Sequence, residues 1–135
     1  MSFFNNILKH PYLLVGIGGA IGSIGRACMT DFVTRLMGDD FPFGTVLVNV
    51  TGAVFMGLVA AYGETVPGKL IFSPGTRTFL MIGVLGGYTT FSSFSLQTFL
   101  LLEQGNISGA LLNVVLSVLL CVAGIWLGFS LMKAF

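Results

Sequence analysis

The sequence predicts an all-α membrane protein: four transmembrane helices in a single integral-membrane domain spanning residues 1–135. Two observations carry that prediction. The chain is 55% hydrophobic and only 8% charged, whereas a soluble domain is about 25% charged. The few charges also leave long uncharged runs between them, at 11–25, 41–63, 78–102 and 104–132. A soluble helical bundle needs a polar face on each helix, and these runs offer none. A net charge of +1 excludes an electrostatic nucleic-acid binder, which needs a concentrated basic face. The high apolar content excludes a disordered chain.

The elements follow in order. The first helix, about 10–30, reaches spanning length only by continuing through Arg26, whose side chain must be paired or snorkel to the interface. It is not expected to be a cleaved leader, because no A-x-A-like site follows it and three more spans do. The second, third and fourth helices, about 44–63, 76–102 and 107–132, lie on runs longer than the roughly 20 residues that cross a bilayer. Asn106-Ile107-Ser108 has the form of a glycosylation acceptor, but its position fits the start of the fourth helix. Tyr12, Tyr62, Trp126 and Phe135 fall near span ends, where aromatic belts form. Cys28 and Cys121 give neither a disulfide framework nor a metal-ligand spacing and read as small membrane-buried side chains. His10, the one histidine, is assigned no role.

With four spans, Lys9, Lys69, Arg77 and Lys133 share one side and Arg26 and Arg35 the other. The positive-inside bias is weak, which permits insertion in both orientations and head-to-tail pairing.

Glycine is the second anomaly: 19 residues, about twice the usual share. Gly18/Gly22, Gly83/Gly87 and Gly124/Gly128 form small-xxx-small pairs that let helices approach closely in lipid, and such packing predicts a compact oligomer. The third span departs from a plain helix. Gly86 and Gly87, followed by Thr89 and Thr90, disfavour helix near the middle of the run. A break at Gly86–Thr90 would free backbone groups in the bilayer interior, where they are tolerated only if they line a cavity or hold an ion. Carbonyls there suit a hard cation and half-helix N-termini an anion; the alternative is a continuous helix with a glycine-lined contact.

Polar residues in the spans point toward an anion. Phe91 and Phe94 share a helix face, and an aromatic ring edge is electropositive, although lipid contact also explains exposed rings. Asn49 is the one strong hydrogen-bonding side chain in the middle of the second span and needs a partner or a pore. Asn113, Ser117 and Cys121 recur at i, i+4, i+8 on one face of the fourth helix, a candidate polar track. Ser93 and Gln97 form a similar pair on the third. No Asp or Glu lies deep in a span, which argues against a proton-coupled cation exporter.

These residues resemble the CrcB/Fluc family of small fluoride channels over nearly the whole chain. Gly18-Gly19-Ala20-Ile21-Gly22-Ser23-Ile24-Gly25-Arg26 resembles the first-helix motif. The run Phe43 to Gly52, containing Asn49, resembles the second-helix motif, and Gly83 to Ser95 is similar to the third-helix signature. The resemblance implies an antiparallel, dual-topology homodimer with the third helix broken near its middle and two fluoride pores. It implies a sodium ion on the two-fold axis, held by the backbone carbonyls of Gly86 and Thr89 from each subunit. It places Phe91, Phe94 and Asn49 in the pore and assigns the signature hydroxyls to Ser92 and Ser93. Three positions depart from the family pattern. Asn113 stands for a Tyr and Cys121 for a Ser in the polar track with Ser117, and Gln97 stands where many members carry Glu. Arg26 is either a vestibule charge or an anchor of the first helix, with the anchor favoured. The implied function is passive electrodiffusion of fluoride out of the cytoplasm, giving fluoride resistance, in the plasma membrane of a prokaryote (the inner membrane if Gram-negative). The expected partners are fluoride, a second copy of the chain and membrane lipid, with no nucleic acid and no enzymatic activity. The alternatives are a small dual-topology multidrug-type exporter, which depends on a first-helix Glu absent between Tyr12 and Arg26, and a non-transporting membrane scaffold.

Overall fold

Each helix starts and stops where local chemistry dictates. The computed structural model describes residues 10–63 and 72–134; Lys9, Lys69 and Phe135 lie outside the described residues. Helix α1 (Pro11–Met37) opens with Pro11, whose fixed φ and missing amide suit a first turn. It runs past residue 30, carrying Asp31 and Arg35, and ends at Gly38, which takes φ 81° and donates its amide to the Thr34 carbonyl. Helix α2 (Phe43–Tyr62) follows the Asp39–Asp40 turn. The third span starts with α3 (Pro74–Arg77), where the Ser73 hydroxyl accepts from the Thr76 amide at 3.1 Å. It then winds as a π-helix over Thr78–Leu85 and closes with the short α4 (Gly86–Tyr88). Thr89 (φ −77°, ψ 157°) and Thr90 (φ −150°, ψ 118°) are extended. Helix α5 (Phe91–Glu103) follows, with the Thr90 hydroxyl accepting from the Ser93 amide.

Helix α5 ends in a tight turn at Gln104–Asn106. The Asn106 amide bonds the Leu101 carbonyl and the Gly105 amide bonds Leu102, both at 2.9 Å, with Gly105 at φ 74°. This is the two-bond helix stop that needs a left-handed residue, which glycine adopts without penalty. Asn106 also starts α6 (Ile107–Lys133), its side-chain oxygen accepting from the Gly109 amide at 2.9 Å. The sequon asparagine is thus a helix cap.

Among the described residues, four stretches are long and apolar enough to cross a membrane: Pro11–Met37, Phe43–Tyr62, Pro74–Glu103 and Ile107–Lys133. A small core of Val33, Val46, Val48, Ala53, Leu85 and Leu101 holds them together, while large apolar side chains such as Ile24 and Trp126 remain exposed. Outward-facing hydrophobic side chains on every span are what a lipid solvent requires.

Helix α2 packs mainly on α6, and α1 on the π-helical stretch and α4. Both seams are built from glycine. A Cβ added at Gly18 would lie 2.8 Å from the Phe79 carbonyl oxygen and 2.9 Å from the Gly83 Cα; one at Gly87 would lie 2.6 Å from the Gly19 carbonyl oxygen. On the other seam, Gly57 abuts the Ile125 carbonyl and Gly128 the Val54 carbonyl. The small-xxx-small pairs are therefore spent on contacts within one chain. Backbone-to-backbone approach replaces the hydrophobic driving force that helices lack in lipid.

A methyl group at Gly128 would press on the Val54 carbonyl and sit 3.0 Å from the Leu58 amide nitrogen, whereas no atom of the described residues lies within 4 Å of one at Gly16. Gly128→Ala is expected to lower stability by about 1–3 kcal/mol, the usual cost of overpacking. Gly16→Ala should leave stability unchanged or raise it by up to about 1 kcal/mol. Unfolding titrations of the two variants in detergent check the contrast.

Candidate functional site

The site is built around the two extended residues. In a continuous helix the Thr90 amide would bond the Gly86 carbonyl. Here it goes to Asn49 Oδ1 at 2.8 Å, and Asn49 Nδ2 donates back to the Thr90 carbonyl at 3.0 Å. One side-chain amide on α2 therefore satisfies both backbone groups of Thr90, which is itself buried. An unmet backbone group in an apolar interior is costly, so this clamp permits the extended conformation. The Thr90 hydroxyl is also engaged, donating to Ser93 Oγ at 3.1 Å and lying 3.2 Å from Ser92 Oγ.

Neighbouring carbonyls are held from α1. Arg26 Nη1 donates to the Thr89 carbonyl at 3.3 Å, and Ser23 Oγ to the Gly87 carbonyl at 3.4 Å. Arg26, half-buried in the first span, thus has a backbone partner on the third. Thr89 Oγ1 turns back to the Leu85 carbonyl at 3.0 Å. On the α2 side, Thr51 Oγ1 lies 3.2 Å from the Tyr88 hydroxyl.

A cavity of about 310 Å³ opens beside this clamp. It brings together Asn49, Phe91, Phe94, Ser117 and Cys121, all singled out in the sequence, with Thr89 and Thr90 at its rim. Val118 and Val122 on α6 complete an apolar wall. The Phe91 and Phe94 rings lie 5.4 Å apart between centroids and tilt by 47°. Phe91 is 79% exposed, so this side of the cavity is open.

The remaining predicted residues sit elsewhere. Ser92 and Ser93 are at the N-terminal turn of α5, bonded to the Thr90 hydroxyl, and do not line the cavity. Gln97 lines a separate polar cleft of about 630 Å³ with Asp39, Asp40 and Gln104, and its Oε1 is buried without a hydrogen-bond partner among the described residues. Asn113 is 0% exposed and lies behind the cavity wall. Its Nδ2 donates to Thr98 Oγ1 at 2.8 Å and its Oδ1 accepts from Ser117 Oγ at 3.4 Å. Gly86 is exposed.

Two residues of this arrangement are not marked as site candidates by the sequence. Thr90 falls within the third-span break that the sequence predicts but is not marked there as the cap of α5, although Thr is a favoured helix-start residue. Thr98 carries a fainter signal: it continues the Phe91/Phe94 face by one turn. Its pairing with Asn113 depends on how α5 and α6 meet.

Residues 13–129 match the family described as "CrcB-like protein, Camphor Resistance (CrcB)". Among similar proteins, a "Fluoride-specific ion channel FluC" from Rhodospirillum rubrum is 47% identical over 118 residues, covering 87% of this chain and 90% of the relative. One of the same name from Coxiella burnetii is 47% identical over 117 residues, covering 86% and 92%. A "Fluoride-specific ion channel FluC 2" from Nitrobacter hamburgensis is 46% identical over 126 residues, covering 90% and 96%.

Replacing Asn49 with Leu would strip both partners from the Thr90 backbone. Each orphaned buried group costs about 1–3 kcal/mol, so Asn49→Leu is expected to destabilise the protein by about 2–6 kcal/mol. Hydrogen exchange of the Thr90 amide should accelerate far more than that of amides in α6. Equal acceleration in both places would show that the clamp does not act locally.

Proposed function

The chain belongs to the CrcB family, and from that premise we propose that it is a fluoride-specific ion channel, passing cytoplasmic fluoride outward by passive electrodiffusion and so giving fluoride resistance. The observation that carries this reading is the cavity of about 310 Å³, which gathers Asn49, Phe91, Phe94 and Ser117 with no charged side chain among its lining residues. Fluoride is small and strongly hydrated, so a selective path must replace its water with fixed donors. Ring edges of Phe91 and Phe94 offer positive potential without a competing hydrogen bond. Ser117 and the second N–H of Asn49 supply conventional donors. A lining without formal charge can bind the anion weakly enough to release it. No catalytic step belongs to this function, and the protein works as a multi-pass protein of the prokaryotic plasma membrane.

The functional unit in this reading is an antiparallel, dual-topology homodimer. Three features support it: the open flank at Phe91, the apolar surface on every span, and the weak bias of positive residues between the two sides. A second copy would wall the open side of the cavity. The third-helix break is the extended pair Thr89–Thr90 put to use. A resident sodium ion also fits this segment. Diversion of the Thr90 amide to Asn49 releases the Gly86 carbonyl from the helical pattern, and carbonyl oxygens suit a hard cation. Gly86 and Thr89 would hold it, the Thr89 oxygen shared with Arg26. When bound it would lend positive potential to the neighbouring path.

Purified protein in liposomes loaded with fluoride or chloride tests the proposal with ion-selective electrodes. Rapid fluoride efflux without chloride efflux and without a proton gradient is expected. Phe94→Ile should cut the flux at least about tenfold by removing an electropositive ring edge, with the elution position of the protein unchanged. Chloride leaving as fast as fluoride, or a wild-type flux that requires a proton gradient, would sink the channel reading.

A further inference from the structure

Behind the cavity wall runs a directed chain of hydrogen bonds that none of the preceding roles explains. Ser117 lines the cavity, and its Oγ–H donates to Asn113 Oδ1 at 3.4 Å. Asn113 Nδ2 donates to Thr98 Oγ1 at 2.8 Å, and Thr98 Oγ1 donates to the Phe94 carbonyl at 2.8 Å. A hydroxyl carries one proton. Thr98 has given its proton to Phe94, so toward Asn113 it can only accept. Asn113 must then turn its oxygen toward Ser117. The Ser117 proton consequently points away from the cavity, and an anion arriving there meets lone pairs.

Resting on the channel reading, we infer that Asn113 and Thr98 are positioning residues that reverse the Ser117 hydroxyl when an anion enters. The bond at the cavity end is the longest of the three and the first to yield, since the two bonds behind it are at ordinary length. A bond to an anion is charge-assisted and about twice as strong as a neutral one, so the anion takes the Ser117 proton. This strips Asn113 Oδ1 of its donor inside a fully buried site. Rotation of the amide by half a turn repairs the loss. Nδ2 then donates to Ser117 Oγ, and Oδ1 accepts the Thr98 hydroxyl proton. The Phe94 carbonyl gives up that hydroxyl but keeps the Thr98 amide within the α5 ladder. Every buried group has a partner in both arrangements, as buried polar networks require, and the only heavy atoms that move are the amide oxygen and nitrogen of Asn113, which exchange places. The side chain at 113 has to carry a donor at one end and an acceptor at the other, which an amide does and a carboxylate or aliphatic group does not.

Liposome flux with a fluoride electrode tests the relay. Thr98→Val keeps the shape but can neither accept nor donate, so one end of the buried amide is left without a partner whichever way it turns, and the amide no longer aims Ser117. Flux is expected to fall about tenfold (about 1.4 kcal/mol), and Thr98→Ser is expected to restore it to within about twofold. In a Ser117→Ala background the same Thr98→Val change should lower flux by less than about twofold, because the relay has no hydroxyl left to aim; additivity is the signature of a packing role. A side-chain amide NMR signal from Asn113 in nanodiscs should shift on adding fluoride in wild type and stay fixed in Ser117→Ala. The NMR arm decides where a variant folds poorly or conducts too little to read. Wild-type protein that passes no fluoride overturns the channel reading and the relay together. Wild-type flux accompanied by an unaffected Thr98→Val, by additive losses, or by an Asn113 signal blind to fluoride overturns the relay alone.

Discussion

The bidentate contact between Asn49 and Thr90 is the interaction on which the rest of the site depends. A bilayer interior offers no water to rescue a free amide or carbonyl, so chain that leaves the helical pattern there has to find partners within the protein. Asn49 supplies both from a single side chain on α2. Once Thr90 is held, several consequences follow in the same stretch of chain. The Thr90 hydroxyl caps α5. Phe91 and Phe94 then start a fresh helical face beside the cavity. The carbonyls just upstream become available to Arg26 and Ser23. A helix propensity argument alone would not select this arrangement, because two threonines disfavour helix by only tenths of a kcal/mol each. The amide clamp makes the extended pair the better solution.

That clamp works only if α2 comes close to the third span, and Gly52 allows it: a Cβ there would collide with the Thr89 side chain and press on the Tyr88 ring. Glycine also fixes the helices on either side. Gly18 and Gly83 let α1 meet the third span backbone to backbone, while Gly57 and Gly128 do the same for α2 and α6. The two seams act as hard stops: an added methyl group would collide with backbone atoms that cannot move aside. Arg26 gains from the first seam. A guanidinium within a span is expensive unless paired, and the close approach of α1 brings the Thr89 carbonyl within 3.3 Å.

Much of this was legible in the sequence, for reasons that can be named. The four spans were readable because lipid imposes a length and an absence of charge that survive as gaps between charged residues. The start of the fourth helix at Asn106 was readable because a capping asparagine is a local need. Asn49, Phe91, Phe94 and Ser117 were readable as site candidates because a polar group or an edge-on ring in a span calls for an explanation. What could not be read was pairing. The sequence marks Asn49 as needing a partner without naming Thr90, and marks glycine pairs as contacts without saying that they close on the same chain. Asn113 and Gln97 show the limit most plainly. Both sit at the spacing of a polar track, yet one is sealed behind the wall and the other faces a different cleft, because helix rotation and crossing angle are set by the glycine seams and not by the polar residues.

The position of Arg26 bears on how an uncharged cavity can favour an anion. Its guanidinium does not line the cavity, but it bonds the carbonyl of Thr89, which does. Charge placed one residue behind the wall acts through a medium of low dielectric, where potential carries further than in water. Direct contact between a guanidinium and fluoride would give a strong, charge-assisted bond, and an ion so held would leave slowly. Potential without contact would lower the energy of an anion in the cavity while leaving the partners proposed for it weak: ring edges, one hydroxyl and one amide N–H. Conduction needs entry to be favourable and exit to be cheap. In the proposed channel, keeping this half-buried cation on a backbone carbonyl serves both demands, since the bond by which Arg26 anchors α1 also holds its charge off the ion path.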